Sequence, residues 1–317
     1  MMKVSNQIKG CIYGCIAAIS YGVNPLCAKL LYKDGINCNS VLCYRFMIGT
    51  LLLALFMLLG RRSFSLTRKE TYVLTLLGCV FSISSLTYFL SFHYMSAGVA
   101  ATLVFAYPVF VAVLMAIFFK ERLKWPSISA IALTIIGILL LYKDDSGRPI
   151  ATPGIVLILL SALAYALYII IINKSGIVMS SVKLTFYAMA VCWVCIVAYA
   201  LLTPTGELQL LHGTEQWTCA ITLGLVPTVI SLVFMAMAIK CIGSTSTAVM
   251  GALEPVTSIV LGMLLLGESI TLRISVGIVF ILIAVMFIIL DAKMRGVLSN
   301  TMVVKKGRLM IKKIRWR

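Results

Sequence analysis

A glutamate within an apolar stretch is the first feature of this sequence that could do chemistry. Glu254 stands in GALEPVTSIVLGMLLLGES and is followed at once by Pro255. A bare carboxylate at the centre of a membrane costs about 3 kcal/mol on insertion scales, so Glu254 should be either partnered or protonated. Three roles are open: proton exchange or substrate binding, a bond to backbone groups released by Pro255, or a packing position alone.

A related segment, FAYPVFVAVLMAIFFKE, lies 147 residues earlier and has the same proline followed by a glutamate thirteen residues later. Pro108 and Pro255 lack an amide hydrogen, so each should bend or loosen its helix at the carbonyl four residues before it. Such bends serve either as gate hinges with freed carbonyls for a substrate, or as static kinks. Tyr107 occupies the position equivalent to Glu254, so a phenol and a carboxyl would approach one site if both face a cavity.

Three other polar or helix-interrupting features lie in apolar segments. Arg45 either extends to the outer membrane interface, or anchors a substrate carboxylate or pairs with an acid. Asn24 has an amide that needs partners in a low dielectric, from a cavity or from another helix. Pro25 and Pro227 interrupt two further helices and are candidate hinges.

Aromatic and acidic residues complete the set of candidates. Tyr21, Tyr165 and Tyr168 are spaced for helical faces, where they either stack on an aromatic or apolar substrate or pack as ordinary core residues. Glu121 and Glu268 end the two related segments. Their position close to water indicates a helix-end or gate contact.

Long apolar runs must position these residues. The chain is 62% hydrophobic and 12% charged, and its runs of about 20 residues match the length that crosses the hydrocarbon core. The sequence therefore predicts an all-α integral membrane protein. Ten spans are predicted: 10–32, 38–60, 71–94, 97–119, 126–142, 153–173, 183–202, 216–239, 245–266 and 273–290.

Basic residues predict the orientation of these spans. With the N-terminus in the cytoplasm, 21 of the 27 lysines and arginines fall inside and five outside, with Arg45 left within a span. The net charge of +17 therefore follows from topology and does not indicate a nucleic-acid partner. The basic tail, 291–317, either lies on anionic membrane lipids or is a solvated disordered tail. Both termini are expected in the cytoplasm, and the protein in the inner (cell) membrane.

The predicted spans divide into two halves. Residues 1–142 form the first five-helix repeat, 143–152 an outer linker, and 153–290 the second repeat, ahead of the tail. Because five is odd, the second repeat must enter the membrane inverted, and the loop charges agree: KERLK follows span four and GESITLR follows span nine. Inverted repeats are typical of secondary transporters with a site near the midplane.

At these residues the sequence resembles the EamA-like family of the drug/metabolite transporter superfamily. The resemblance is carried by the Pro108 and Pro255 segments, by Arg45-Phe46 and by the two-repeat layout, over residues 8–290. It implies a membrane transporter of small metabolites with a central cavity lined mainly by spans 1, 3, 4, 6, 8 and 9. Family substrates range from amino acids to drugs.

The expected function is secondary active transport of a small amino-acid-like or drug-like metabolite. Export is favoured over import only because of the usual direction of transport in the family. One half would rock against the other around a midplane site, and Glu254 would couple protons. No enzyme motif such as HExxH or GxSxG is present, and no cofactor is expected. A ligand-binding membrane sensor or scaffold is the alternative, and a homodimer is compatible with either.

Overall fold

The computed structural model describes residues 2–120, 125–141, 151–177, 179–203, 207–235, 237–238, 241, 250–251, 253–268, 271–284 and 286–287. Every regular element in these ranges is helical. Seven helical segments are long and apolar enough to cross a membrane, and Ile131–Leu141, Leu253–Leu266 and Leu272–Ala284 are shorter apolar helices. The prediction of an all-helical membrane protein is confirmed for this part. Glu121, the tail and most of the 143–152 linker lie outside it.

The helices follow the predicted runs closely, with ends that differ by a few residues. In chain order they are α1 (Met2–Gly22), α2 (Asn24–Lys33), α3 (Cys38–Leu59), α4 (Arg68–Ser91), α5 (Ala97–Val104), α6 (Tyr107–Phe119), α7 (Trp125–Leu141), α8 (Thr152–Lys174), α9 (Ser181–Leu202), α10 (Thr214–Gly224), a π-helical segment (Leu225–Ile230), α11 (231–235), α12 (Leu253–Leu266) and α13 (Leu272–Ala284).

Short polar side chains begin several of these helices. The Asn37 side chain accepts from the Ser40 amide at 2.8 Å at the start of α3. Thr67 and Glu70 form a reciprocal capping box at the start of α4. Because the first amides of a helix lack backbone acceptors, these caps fix where the apolar runs enter the membrane.

Proline interrupts the predicted spans where the sequence indicated. The chain turns at Val23 between α1 and α2, just before Pro25, and at 105–106 between α5 and α6, just before Pro108. Pro227 lies within the π-helical segment, so that helix widens locally rather than ending. The interruptions are confirmed, and their use as hinges stays a prediction.

Helix α4 lies at the centre of the described bundle and packs most extensively against α8 and α9. Two buried serines tie α4 to α8 in both directions. The Ser84 hydroxyl donates to the Ser161 carbonyl at 3.0 Å, and the Ser161 hydroxyl donates to the Ser84 carbonyl at 2.7 Å. These bonds join one helix from each predicted half of the chain.

One end of the bundle is closed by a polar contact between three segments. Lys29 in α2 forms an ion pair with Glu268, just after α12, at 3.1 Å. The other carboxylate oxygen of Glu268 accepts from the Gly98 amide in α5 at 3.4 Å. Gly98 itself lies against Ile259 of α12, where a Cβ would come within 2.7 Å of that side chain. The predicted helix-end contact of Glu268 is therefore observed.

Candidate functional site

A central cavity lies where the interrupted helices meet α3, α4 and α8. It has an empty volume of about 750 Å³, the open space at its mouth included. Its charged lining residues are Arg45 from α3 and Glu254 from α12. Within the described part of the chain, neither of these side chains forms an ion pair. An arginine and a carboxylic acid therefore line one space without an ion pair between them.

Arg45 is deeply buried, with 2% of its surface exposed. Its Nε donates to the Thr228 hydroxyl at 3.2 Å. The guanidinium carbon lies 5.1 Å from the Phe46 ring centre and 5.2 Å from the Phe89 ring centre, within cation–π range. The alternative in which Arg45 extends to the outer interface is wrong, because these three side chains hold it in the bundle.

Thr228 is a site residue that the sequence analysis missed. It is fully buried within the π-helical segment, and its hydroxyl donates to the Leu223 carbonyl at 2.9 Å while accepting from Arg45. Gly49 makes room for it, since a Cβ there would lie 2.6 Å from the Thr228 methyl carbon. In the sequence its one signal was its place directly after Pro227, because the π-helical turn, a feature often found at functional sites, is seen only in the structure.

Glu254 lies near the start of α12, three residues after a turn at Gly251. Its amide donates to the Gly251 carbonyl at 2.9 Å. Helix α12 approaches α1 so closely that a Cβ on Gly22 would lie 2.7 Å from the Glu254 carbonyl oxygen. Tyr21, on α1, lines the same cavity as Arg45 and Glu254.

Aromatic rings form one wall of the cavity. Tyr107 lines it together with Tyr165, and their ring centres are 4.8 Å apart in an edge-to-face arrangement. Phe81 adds a third ring, 6.4 Å from Tyr165. Serines supply hydroxyls at the same surface: Ser84, Ser85, Ser161 and Ser231. The lining thus offers both stacking faces and neutral hydrogen-bonding groups.

The sequence-predicted residues do not all meet in this cavity. It brings together Glu254, Tyr107, Tyr21, Tyr165 and Arg45. Tyr168 and Pro227 instead line a smaller adjoining cavity, which also contacts Arg45.

Asn24, Pro25 and Pro255 are not among the described lining residues of either cavity. Asn24 is fully buried, and its amide has no hydrogen-bond partner among the residues that the structure describes. Pro25 and Pro255 are also buried, beside the turns at Val23 and Gly251. Pro108 follows Tyr107 directly in the first turn of α6. Each of these three prolines lies within a few residues of a turn that interrupts a helix.

Fold and cavity together define a multi-pass membrane protein with a charged and aromatic pocket inside its helical bundle. The model of the EamA-like transporter family matches residues 8–143 and again 152–290. The chain therefore belongs to the EamA-like transporter family.

Known relatives agree with this assignment. An uncharacterized transporter of Clostridium kluyveri is 25% identical over 293 residues, which cover 87% of this chain and 91% of that protein. The uncharacterized transporter YcbK of Bacillus subtilis is 24% identical over 283 residues, with the same coverage of 87% and 91%. One solved crystal structure superposes with a TM-score of 0.64 at 16% identity, covering 90% of this chain and 97% of that one, which shows a shared fold.

Proposed function

We propose that this transporter moves a small zwitterionic metabolite by secondary active transport. The observation that carries the proposal is the pair Arg45 and Glu254, which line one cavity without an ion pair between them in the described structure. A buried charge without a partner is costly, and an oppositely charged group of a substrate would offset that cost. A molecule with a carboxylate and an ammonium group complements both residues at once.

The proposed architecture is ten spans in two inverted repeats of five. The family match in two stretches of similar length supports this, as does the helix interruption beside Pro108 and beside Pro255. In this arrangement the cavity would lie near the membrane midplane, between the halves. The termini would be cytoplasmic and the membrane the inner one, in agreement with the distribution of basic residues.

Alternating access requires the cavity to open to each side in turn. With the proposed orientation, the contact of Lys29 with Glu268 and Gly98 would close the outer end. Opening that end would separate α2 and α5 from α12. The turns at Val23 and at 105–106 lie along the chain between this contact and the cavity, so bending there would release α2 and α5. The turn at Gly251 lies at the other end of α12 from Glu268, so α12 would tilt about it. Export is the favoured direction.

Proton coupling is assigned to Glu254. Its carboxyl lines the cavity and has no ion-pair partner in the described part of the chain, so it can bind either a proton or the ammonium group of a substrate. Competition between the two at one carboxyl would exchange protons for substrate across the membrane. Tyr107 and Tyr21 would orient the substrate beside this acid.

The test is flux into sealed liposomes that contain the purified protein. The probes are L-phenylalanine, phenethylamine, which lacks the carboxylate, and 3-phenylpropionate, which lacks the amine. We expect saturable transport of L-phenylalanine and at least tenfold slower transport of each singly charged analogue, because a site built for a charged group rejects the molecule that lacks it. Equal transport of all three would contradict the zwitterion proposal.

Glu254→Gln tests the coupling in the same liposomes. We expect it to abolish uptake driven by a pH gradient, because glutamine does not take up a proton. Exchange of labelled for unlabelled L-phenylalanine at a single pH should continue with a raised KM, because the charge that pairs with the ammonium group is lost. Glu215→Gln is the matched control, because that acid is exposed in the first turn of α10. Unchanged pH-driven uptake in Glu254→Gln would remove the proton role. Binding with no flux under any gradient would favour a sensor or scaffold.

A further inference from the structure

A second, smaller cavity adjoins the central one. It has an empty volume of about 400 Å³ and shares Tyr21, Arg45, Phe81 and Tyr165 with the central cavity. Arg45 therefore lies on the boundary between the two spaces. We call this smaller space the side compartment; its lining residues not shared with the central cavity include Tyr168, Thr185, Ala188, Met189 and Pro227.

The described lining of the side compartment differs from that of the central cavity in lacking an acidic residue. Stacked rings form one wall: Tyr165 and Tyr168 lie nearly parallel with centres 5.8 Å apart, and Phe81 lies 5.2 Å from Tyr168. Apart from Arg45 at its boundary, its described lining has no charged residue. Such a surface favours an uncharged, apolar or aromatic group over a charged one.

Helix α9 contributes residues of one helical face to the lining of the side compartment. Thr185, Ala188 and Met189 are spaced by three and four residues, so they lie on the same side of the helix. Ala188 is 1% exposed and Met189 2% exposed. Any side chain larger than the methyl group of Ala188 would occupy part of the side compartment. The residue at position 188 therefore limits the size of the group that can enter.

We infer that the side compartment holds the uncharged side chain of an α-amino acid, and that Ala188 and Met189 set its size limit. This inference rests on the proposed function. An α-amino acid carries three groups on one carbon: a carboxylate for Arg45, an ammonium group for Glu254, and a side chain. Arg45 contacts both spaces, so a carboxylate bound there places the third group at the entrance of the side compartment.

The experiment compares L-alanine, L-leucine and L-phenylalanine, which share the charged groups and differ in the side chain. Initial rates and KM are measured in liposomes for the unmodified protein and for Ala188→Leu. We expect Ala188→Leu to lower kcat/KM for L-phenylalanine at least tenfold relative to L-alanine, because a hydrophobic pocket discriminates by about 10- to 200-fold per added group. Ala198→Leu, on the exposed face of α9, is the matched control and should leave the ratio unchanged.

Met189→Ala makes the opposite change and keeps the inference testable if Ala188→Leu fails to fold. It should raise the L-phenylalanine to L-alanine ratio of kcat/KM by about threefold or more. An unaltered ratio in a folded Ala188→Leu or Met189→Ala protein would overturn the inference while leaving the proposed function intact. The proposed function itself would fail if Arg45→Met left transport of all three amino acids unchanged. Transport of none of the three by the unmodified protein would overturn both.

Discussion

The two charged sides of the central cavity are built in different ways. Arg45 lies in the unbroken helix α3 and is held by Thr228 and by two aromatic rings. Glu254 lies beside a turn at Gly251, and in the described structure its carboxyl accepts no hydrogen bond from a side chain. The Arg45 guanidinium is held by these contacts, whereas Glu254 lies in a segment whose backbone is interrupted by a turn.

In the proposed mechanism, this difference gives the two residues different tasks. A fixed guanidinium suits an anchor, because its fork geometry matches a carboxylate only when its orientation is constrained. A carboxyl with few partners suits exchange, because a proton and a substrate can each occupy it. Arg45 should therefore determine which substrates bind, and Glu254 should determine which gradient drives their transport.

Arg45→Met should have the largest effect. We expect a fall in L-phenylalanine uptake of about 100-fold, since a charge-assisted contact contributes about 1.5–3 kcal/mol. The thermal unfolding midpoint should stay unchanged or rise, because an unpaired buried charge is replaced by an apolar side chain. Uptake assays measure the fall in transport, and thermal unfolding curves in detergent measure the midpoint. A large loss of stability would show that Arg45 is structural; exposed Arg62→Met serves as the control.

Thr228→Val should have a smaller effect on the same side of the cavity. The substitution keeps the shape but removes the acceptor for Arg45 Nε, so the KM for L-phenylalanine should rise about tenfold with little change in kcat. Thr228→Ser retains the hydroxyl and should restore the original KM. The assignment of Thr228 as a positioning residue would be lost if the valine and serine variants behaved alike.

Pro108→Ala and Pro255→Ala should have the smallest effect. They test the side of the cavity that is formed by interrupted helices. We expect turnover to slow about three- to tenfold while the affinity for L-phenylalanine changes less, because restored helical bonding stiffens the bend. Equilibrium binding and single-turnover flux separate the two quantities. Pro153→Ala is the control, since that proline occupies the first turn of α8, where proline is compatible with a helix. Equal kinetics in all variants would favour static kinks.

Local chemistry made much of this arrangement predictable. The positions of the helix interruptions followed from proline, whose missing amide hydrogen acts within one turn. Glu254 and Tyr107 were predicted as a pair from their equivalent places before Pro255 and Pro108, and both line the cavity. An acid in an apolar helix carries a strong signal, because it is costly anywhere but a cavity or an ion pair.

Features that depend on helix rotation and packing were not predictable. The depth of Arg45 along its span did not reveal that it points into the bundle, so two interpretations stayed open. Ser84 and Ser161 lining the cavity, and Thr228 holding Arg45, emerge only when helices from distant parts of the chain are brought together. Asn24 was an expected hydrogen-bonding residue, yet its buried amide has no partner in the described structure.

The reciprocal serine bonds between α4 and α8 limit how this molecule can move. Ser84 and Ser161 come from opposite halves of the sequence and sit on the cavity wall itself. If each half moved as a rigid body, the two halves would have to pivot about this seam or break its hydrogen bonds in every transport cycle. A motion confined to α2, α5 and α12, the helices at the Lys29–Glu268 contact, leaves the seam whole. Helices α4 and α8 would then stay in place while the other three helices bend at their turns.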